Sequence, residues 1–295
     1  MNSCRSIDYL INKSRFISDM SGDGLSFSRY FTISGSVARY YLKQNVPEII
    51  EINERKFMAG FTFKQFEIQQ DRCAMKVGTD GVLLGAWAEG GQRILDIGSG
   101  TGLISLMMAQ RFPEALVWGI DIDPDACMQA RENVAASPFA DRVGIACCAL
   151  QNFSKLEAVK ADGGLFDAIV SNPPFFVNGL KNPDSKRALA RHSDSLPFPV
   201  LMKGVKRWLS DEGVFSAIVP ADVLESFVSE AYCSGLSLVK QCAVKTVERK
   251  QPKRYLVAFS KRRTGMMDKR TEIMTDSGGN RSEWYAKITE EFYLD

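Results

Sequence analysis

Residues 94–102 read Ile-Leu-Asp-Ile-Gly-Ser-Gly-Thr-Gly, an apolar run closed by Gly98, Gly100 and Gly102 at alternate positions and followed by a helical pattern over 102–110. Few folds accept that order. The apolar run is a strand, and alternate glycines let the backbone bend tightly and approach a ligand that a Cβ would exclude. In open α/β sheets such ligands sit beyond the carboxyl ends of the strands. The segment therefore predicts a small-molecule pocket at the end of a sheet strand. A dinucleotide fingerprint wants its third glycine at 103, where this chain has Leu103, and has no use for Asp96. That argues against a nicotinamide oxidoreductase and for a nucleoside ligand without a pyrophosphate. Asp121 closes the next apolar run, where a carboxylate can accept both hydroxyls of a ribose.

Around this turn the chain alternates short apolar runs with amphipathic stretches. Strands are predicted at 93–97, 116–120, 142–146, 166–171 and 213–219, and helices at 102–110, 124–135, 199–209 and 224–233. Such alternation requires parallel strands joined by right-handed crossovers, because each helix returns the chain to the same end of the sheet. The rhythm breaks after 235, where 236–247 and 255–260 read as consecutive strands joined by a basic stretch, a hairpin expected at one sheet edge. Residues 1–57 mix Ser, Asn, Tyr and charges without periodicity. They are either a flexible arm or an over-extended reading frame whose natural start is Met58, and the second is the expectation. The domain expected is 58–295, with an N-terminal lid at 58–92 and a C-terminal hairpin and helix at 236–295.

His192 is the single histidine. A His-rich metal site is excluded, a Ser-His-Asp hydrolase has one candidate base, and no metal is expected. The seven cysteines form no C-x-x-C pair and read as reduced, mostly buried thiols of a cytoplasmic protein. No apolar run reaches the roughly eighteen residues of a membrane span.

The chemistry is carried instead by the 166–171 strand, which runs directly into Asn172-Pro173-Pro174-Phe175. Two prolines end the strand and remove two amide donors, so the carbonyls of the turn stay free to accept. A planar amine needs this arrangement: the Asn172 oxygen and the Pro173 carbonyl each accept one N–H, while Phe175 stacks on the ring. With both hydrogens held, the nitrogen lone pair is freed for attack on an electrophilic methyl. No strongly shifted general base is required.

The Asp96-to-Gly102 turn with Asp121 resembles the first two motifs of Rossmann-like class I methyltransferases. The resemblance implies S-adenosylmethionine as cofactor and a seven-stranded, mostly parallel sheet of order 3-2-1-4-5-7-6, with the last strand antiparallel and helices on both faces. It implies a cofactor site of Asp96, Gly98, Gly100, Gly102, Asp121 and Ile122, bordered by Asn172. These enzymes commonly hold the adenine with an Asp after the third strand. Ala149 stands there in this chain, and Leu150 or the neighbouring backbone is expected to serve. In the same comparison, N-P-P-F marks transfer to planar amino nitrogens of adenine, cytosine, guanine or a glutamine amide.

Upstream, F-T-F-K-Q-F at 61–66 and D-R-C-A-M-K-V-G-T-D-G at 71–81 precede the core. With L-L-G-A-W-A, S-N-P-P-F-F, R-x-x-A-R-H at 187–192 and E-E-F-Y-L at 290–294, this pattern resembles the bacterial tRNA1(Val) (adenine-37-N6)-methyltransferases over about 59–295. The resemblance implies a tRNA partner, its anticodon-loop adenosine as substrate, and a lid whose Lys76, Thr79, Asp80 and Gly81 reach the cofactor. The near-neutral total hides a basic stretch: residues 181–270 carry 18 basic against 9 acidic side chains. Phe176, Lys181, Lys186, Arg187, Arg191 and His192 after the catalytic turn, with Arg249, Lys250, Lys253 and Arg254 in the hairpin, are the expected RNA contacts. Two readings compete: another N-P-P-F amino methyltransferase, acting on ribosomal guanine or protein glutamine, and a non-catalytic RNA-binding module.

Overall fold

The structure, a computed structural model, describes residues 60–73, 76–155, 164–174, 196–262, 265 and 267–294. The expected extension at 1–57 lies outside the described residues, as do Phe175, Phe176, Lys181, Lys186, Arg187, Arg191 and His192.

A short hairpin, β1 (Phe61–Thr62) and β2 (Glu67–Ile68), leads through 69–78 into α1 (Thr79–Trp87). The alternating core follows: β3 (Arg93–Ile97), α2 (Leu103–Arg111), β4 (Leu116–Asp121), α3 (Pro124–Ala136) and β5 (Val143–Cys147). After a 3-10 turn (Leu150–Lys155) come β6 (Phe166–Ser171), α4 (Phe198–Trp208), β7 (Leu209–Pro220) and α5 (Leu224–Cys233). The chain then makes β8 (Ser237–Val247), β9 (Arg254–Ser260), β10 (Asp268–Thr275) and α6 (Glu283–Thr289).

One eight-stranded sheet has the order β10-β8-β9-β7-β6-β3-β4-β5. Strands β3 to β7 are mutually parallel, and β9 runs antiparallel to both β7 and β8. The inner seven reproduce the expected 3-2-1-4-5-7-6. The eighth is a correction: β10 pairs parallel to β8, so the hairpin is not an edge. Its sequence, D-K-R-T-E-I-M-T, carries four charges in its first five residues, which is how outermost strands resist pairing with other chains.

Strand residues alternate between two apolar layers, as period-two geometry demands when both faces are covered. Ile94, Ala168, Val170 and Leu256 pack under α1, α2 and α6, whereas Leu95, Ile97, Phe166, Ile169, Val257 and Phe259 pack under α4 and α5. Fully burying one such large side chain contributes about 1.5–3 kcal/mol. Together the layers cover the sheet on both faces. The six described cysteines are all free, but only Cys127 and Cys242 are buried, fewer than expected.

Candidate active site

The carboxyl ends of β3 and β6 lie side by side at the point where the sheet order reverses. Ile97 and Ser171 are register partners, and the buried Ser171 hydroxyl donates to the Ile97 carbonyl at 2.8 Å. Neighbouring strands run roughly 4.8 Å apart, so Gly98 and Asn172, the next residue on each strand, start from adjacent positions. Two prolines follow Asn172 without a cis bond, and Pro173 is buried while Asn172 and Pro174 are partly exposed. No hydrogen bond engages the Asn172 side chain among the described residues, in contrast to its neighbour Ser171.

On the β3 side, Gly98, Gly100 and Gly102 all adopt left-handed φ, at +77°, +53° and +80°. An L-residue there is strained whatever the space. Nothing lies within 4 Å of where a Cβ on Gly98 or Gly100 would be, whereas at Gly102 it would press on Ala130 of α3 at 3.3 Å. The first two glycines thus leave a cradle, and the third serves helix packing. Leu103 explains why a dinucleotide glycine is absent: its Cδ2 lies 3.0 Å from a Cβ placed at Gly81, filling the space between α1 and α2.

Asp121 fixes the turn. Its Oδ2 accepts from the Gly100 N–H at 2.8 Å and its Oδ1 from the Asp123 N–H at 3.0 Å, leaving a lone pair on each oxygen. Asp123 caps α3 through the Asp125 N–H at 2.9 Å. Asp96 is fully buried. Its Oδ2 accepts from Ser105 Oγ at 2.7 Å, and its Oδ1 has no partner among the described residues. Burial raises its carboxyl to about 7, against the Ser105 bond, and the nearby Asp121 charge adds to the rise. Gly102 gives α2 no side-chain cap, so the N–H groups of Leu103 and Ile104 at its start are not taken by a capping side chain. An open cradle, an orphaned buried carboxylate oxygen, an uncapped helix start and a carboxylate at the rim suit a cationic nucleoside with a carboxylate tail.

The remaining expected residues divide. Ile122 is exposed beside Asp121. Leu150 is buried, and its Cδ2 lies 2.3 Å from a Cβ placed at Gly204, so its side chain belongs to the core under α4. Lys76 and Thr79 are exposed and Gly81 is buried. Asp80 is committed to Arg254, Nε to Oδ2 at 2.7 Å, which joins the start of α1 to the base of the β8–β9 hairpin. Arg249, Lys250 and Lys253 are exposed in that turn and form no ion pair among the described residues. Sequence reasoning missed Gln129 and Asn133, both buried on α3. The available signal was two amides four residues apart within the apolar stripe of Ala126, Ala130 and Val134.

Among the described residues, no helix is long and apolar enough to cross a membrane, and no cluster of His, Cys, Asp or Glu could hold a metal ion. Residues 77–196 match the methyltransferase small domain family. The chain is 49% identical over 239 residues to the tRNA1(Val) (adenine(37)-N6)-methyltransferase of Phocaeicola vulgatus, the match covering 80% of this chain and 97% of that one. It is 38% identical over 238 residues to the protein of that name from Shigella dysenteriae, covering 80% and 95%. A solved structure described as a predicted O-methyltransferase of Agrobacterium tumefaciens shares the fold, with TM-score 0.51 and 17% identity over 72% of this chain and 96% of that one.

Proposed function

The chain belongs to the tRNA1(Val) (adenine(37)-N6)-methyltransferase family, and from that premise we propose that it transfers a methyl group from S-adenosylmethionine to N6 of adenosine 37 in the anticodon loop of tRNA1(Val). The observation that carries the reading is the register of β3 against β6, which starts the glycine turn and the Asn-Pro-Pro turn from adjacent positions. S-adenosylmethionine, when bound, supplies an electrophilic methyl on a sulfonium.

The protein's own part is positioning. Gly98 and Gly100 admit the cofactor against bare backbone, Asp121 offers its remaining lone pairs to the ribose, and the start of α2 takes the carboxylate. Asn172 Oδ1 and the Pro173 carbonyl each accept one hydrogen of the adenine amine, which turns the nitrogen lone pair outward, and Phe175 stacks on the base. Fixing two reactants in line is worth about 7–11 kcal/mol in favourable cases. After transfer the acidic methylated amine loses its proton to one of these acceptors or to water.

A base inside a folded RNA reaches such a pocket only when splayed from its loop. Arg249, Lys250 and Lys253 lie on the β8–β9 turn, at the same edge as the end of β7, and suit the phosphates flanking that loop. Incubating the protein with unmodified tRNA and labelled cofactor, then digesting to nucleosides, tests the reading. The expected product is N6-methyladenosine from tRNA1(Val). Label in guanosine, or in a protein glutamine, refutes it.

A further inference from the structure

Gln129 and Asn133, one turn apart on α3, are 1% and 2% exposed. Asn133 makes three bonds. Its Nδ2 donates to the Thr101 carbonyl and to the Gln69 carbonyl, each at 2.9 Å, and its Oδ1 accepts from the Gln69 N–H at 2.9 Å. The orientation is forced, because the flipped amide would set its NH2 against an N–H and its oxygen against two carbonyls. A buried amide is costly to desolvate and is tolerated where its bonds are made.

The partners belong to two different parts of the site. Thr101 stands between left-handed Gly100 and Gly102 in the cofactor turn. Gln69 belongs to the lid. From Gln69 the lid passes Arg72, whose N–H donates to Gln129 Oε1 at 3.3 Å, then Val77, whose N–H donates to Gln70 Oε1 at 2.6 Å, and ends at Gly81 against Leu103. The lid therefore meets the cofactor turn through Asn133 at Thr101 and meets the start of α2 at Leu103, and one planar amide is shared between lid and turn.

We propose that Asn133 is a positioning residue that makes ordering of the lid and seating of the cofactor on the glycine turn a single event. This rests on the reading of the Gly98–Gly102 turn as the S-adenosylmethionine site. No torsion separates the two N–H groups of the amide, so a shift of the Thr101 carbonyl is passed to Gln69. The dependence is reciprocal: what steadies the lid tightens the cofactor, and the converse.

The test uses the full chain with S-adenosylhomocysteine as probe, read by calorimetry, steady-state kinetics and hydrogen exchange of peptides covering 67–73. In the wild-type protein the probe slows exchange in 67–73. In Asn133→Ala the probe binds about tenfold more weakly and KM for S-adenosylmethionine rises by a similar factor. The variant's kcat at saturating cofactor stays within about threefold, because the acceptors at Asn172 are untouched. Exchange in 67–73 no longer responds to the probe, while exchange in β8 and β9 stays as in wild type. An Asn133→Ala protein with unchanged affinity and an intact lid response overturns the proposal. If that variant does not fold, the wild-type measurement decides: exchange in 67–73 that ignores a bound probe overturns it equally. Failure of the wild type to bind the probe at all sinks the cofactor reading, and the proposal with it.

Discussion

At the ends of β3 and β4 the turn backbone is held by the chain's own side chains: Gly100 by Asp121, Asp123 by Asp121, Thr101 by Asn133. Among the described residues, side chains just after β6 and on the β8–β9 turn are left without partners of this kind. Asn172 forms no side-chain bond among the described residues, and Arg249, Lys250 and Lys253 are exposed. Both regions occupy one edge of one sheet, so the difference is not one of scaffold. A small, invariant ligand can be met by a preformed cradle, since ordering the cradle in advance removes that cost from binding. On the proposed reading, a large RNA that must first splay a base would meet acceptors and charges left free.

Asn172→Ala probes the open side most severely. Turnover should fall on the order of a hundredfold to a thousandfold, by analogy with loss of one precisely aimed hydrogen-bonding group in a reactive site, while S-adenosylhomocysteine affinity stays within about twofold. An equal loss of both would erase the contrast.

Asp96 probes the closed side through pH. Burial lifts its folded carboxyl from 3.8 to about 7, so between those values the folded protein holds a proton that the unfolded chain has released. Stability contributed at this site therefore falls as pH rises across that interval and is level above it, by roughly 4 kcal/mol for a shift of this size. Asp96→Asn removes the dependence. Urea melts at pH 5 and pH 8 should show wild type losing ground to the variant at the higher pH, and a pH-independent difference would mean that Asp96 titrates normally.

Gly100→Ala is a milder test of the cradle. Left-handed backbone costs an alanine about 1–2 kcal/mol, so cofactor binding should weaken by about tenfold with kcat at saturation nearly unchanged. The smallest effect belongs to Lys250→Ala. Calorimetry or filter binding across salt concentrations should show tRNA affinity falling a few-fold and the salt slope dropping by about one. If instead the slope drops when Arg254, tied to Asp80, is replaced, the ion pair opens for phosphate and the closed and open sides are not distinct.

The seven strands from β8 to β5 were legible because each carries apolar residues toward one or both covered faces, as Phe166, Ala168, Ile169 and Val170 do in β6. Strand β10 was not, because its charges erase the pattern that betrays interior strands. The glycine turn could be read since each glycine answers to a local backbone demand. What escaped were pairings across long stretches of chain. Leu150 against Gly204, Asp80 with Arg254, and Asn133 with Gln69 depend on which elements meet, and neither propensity nor spacing records that. Arg254 is an instance: its place in a basic run gives no sign that its guanidinium bonds a carboxylate 174 residues away.

The β1–β2 hairpin has one more dependence. Lys64 donates its backbone N–H to the Phe292 carbonyl and its ammonium to the Glu290 carbonyl, both at 2.8 Å, and Gln110 donates to the Glu291 carbonyl at 2.8 Å. Phe63 and Tyr293 stack above these bonds. During synthesis, Lys64 leaves the ribosome 226 residues before Glu290. In the interval the hairpin can dock on α3, where Asn133 takes both backbone groups of Gln69 and Phe139, just beyond the helix, packs against Phe66. The contacts to 290–293 form only when translation is almost over, so the hairpin is held from both sides only at the end of the chain's synthesis.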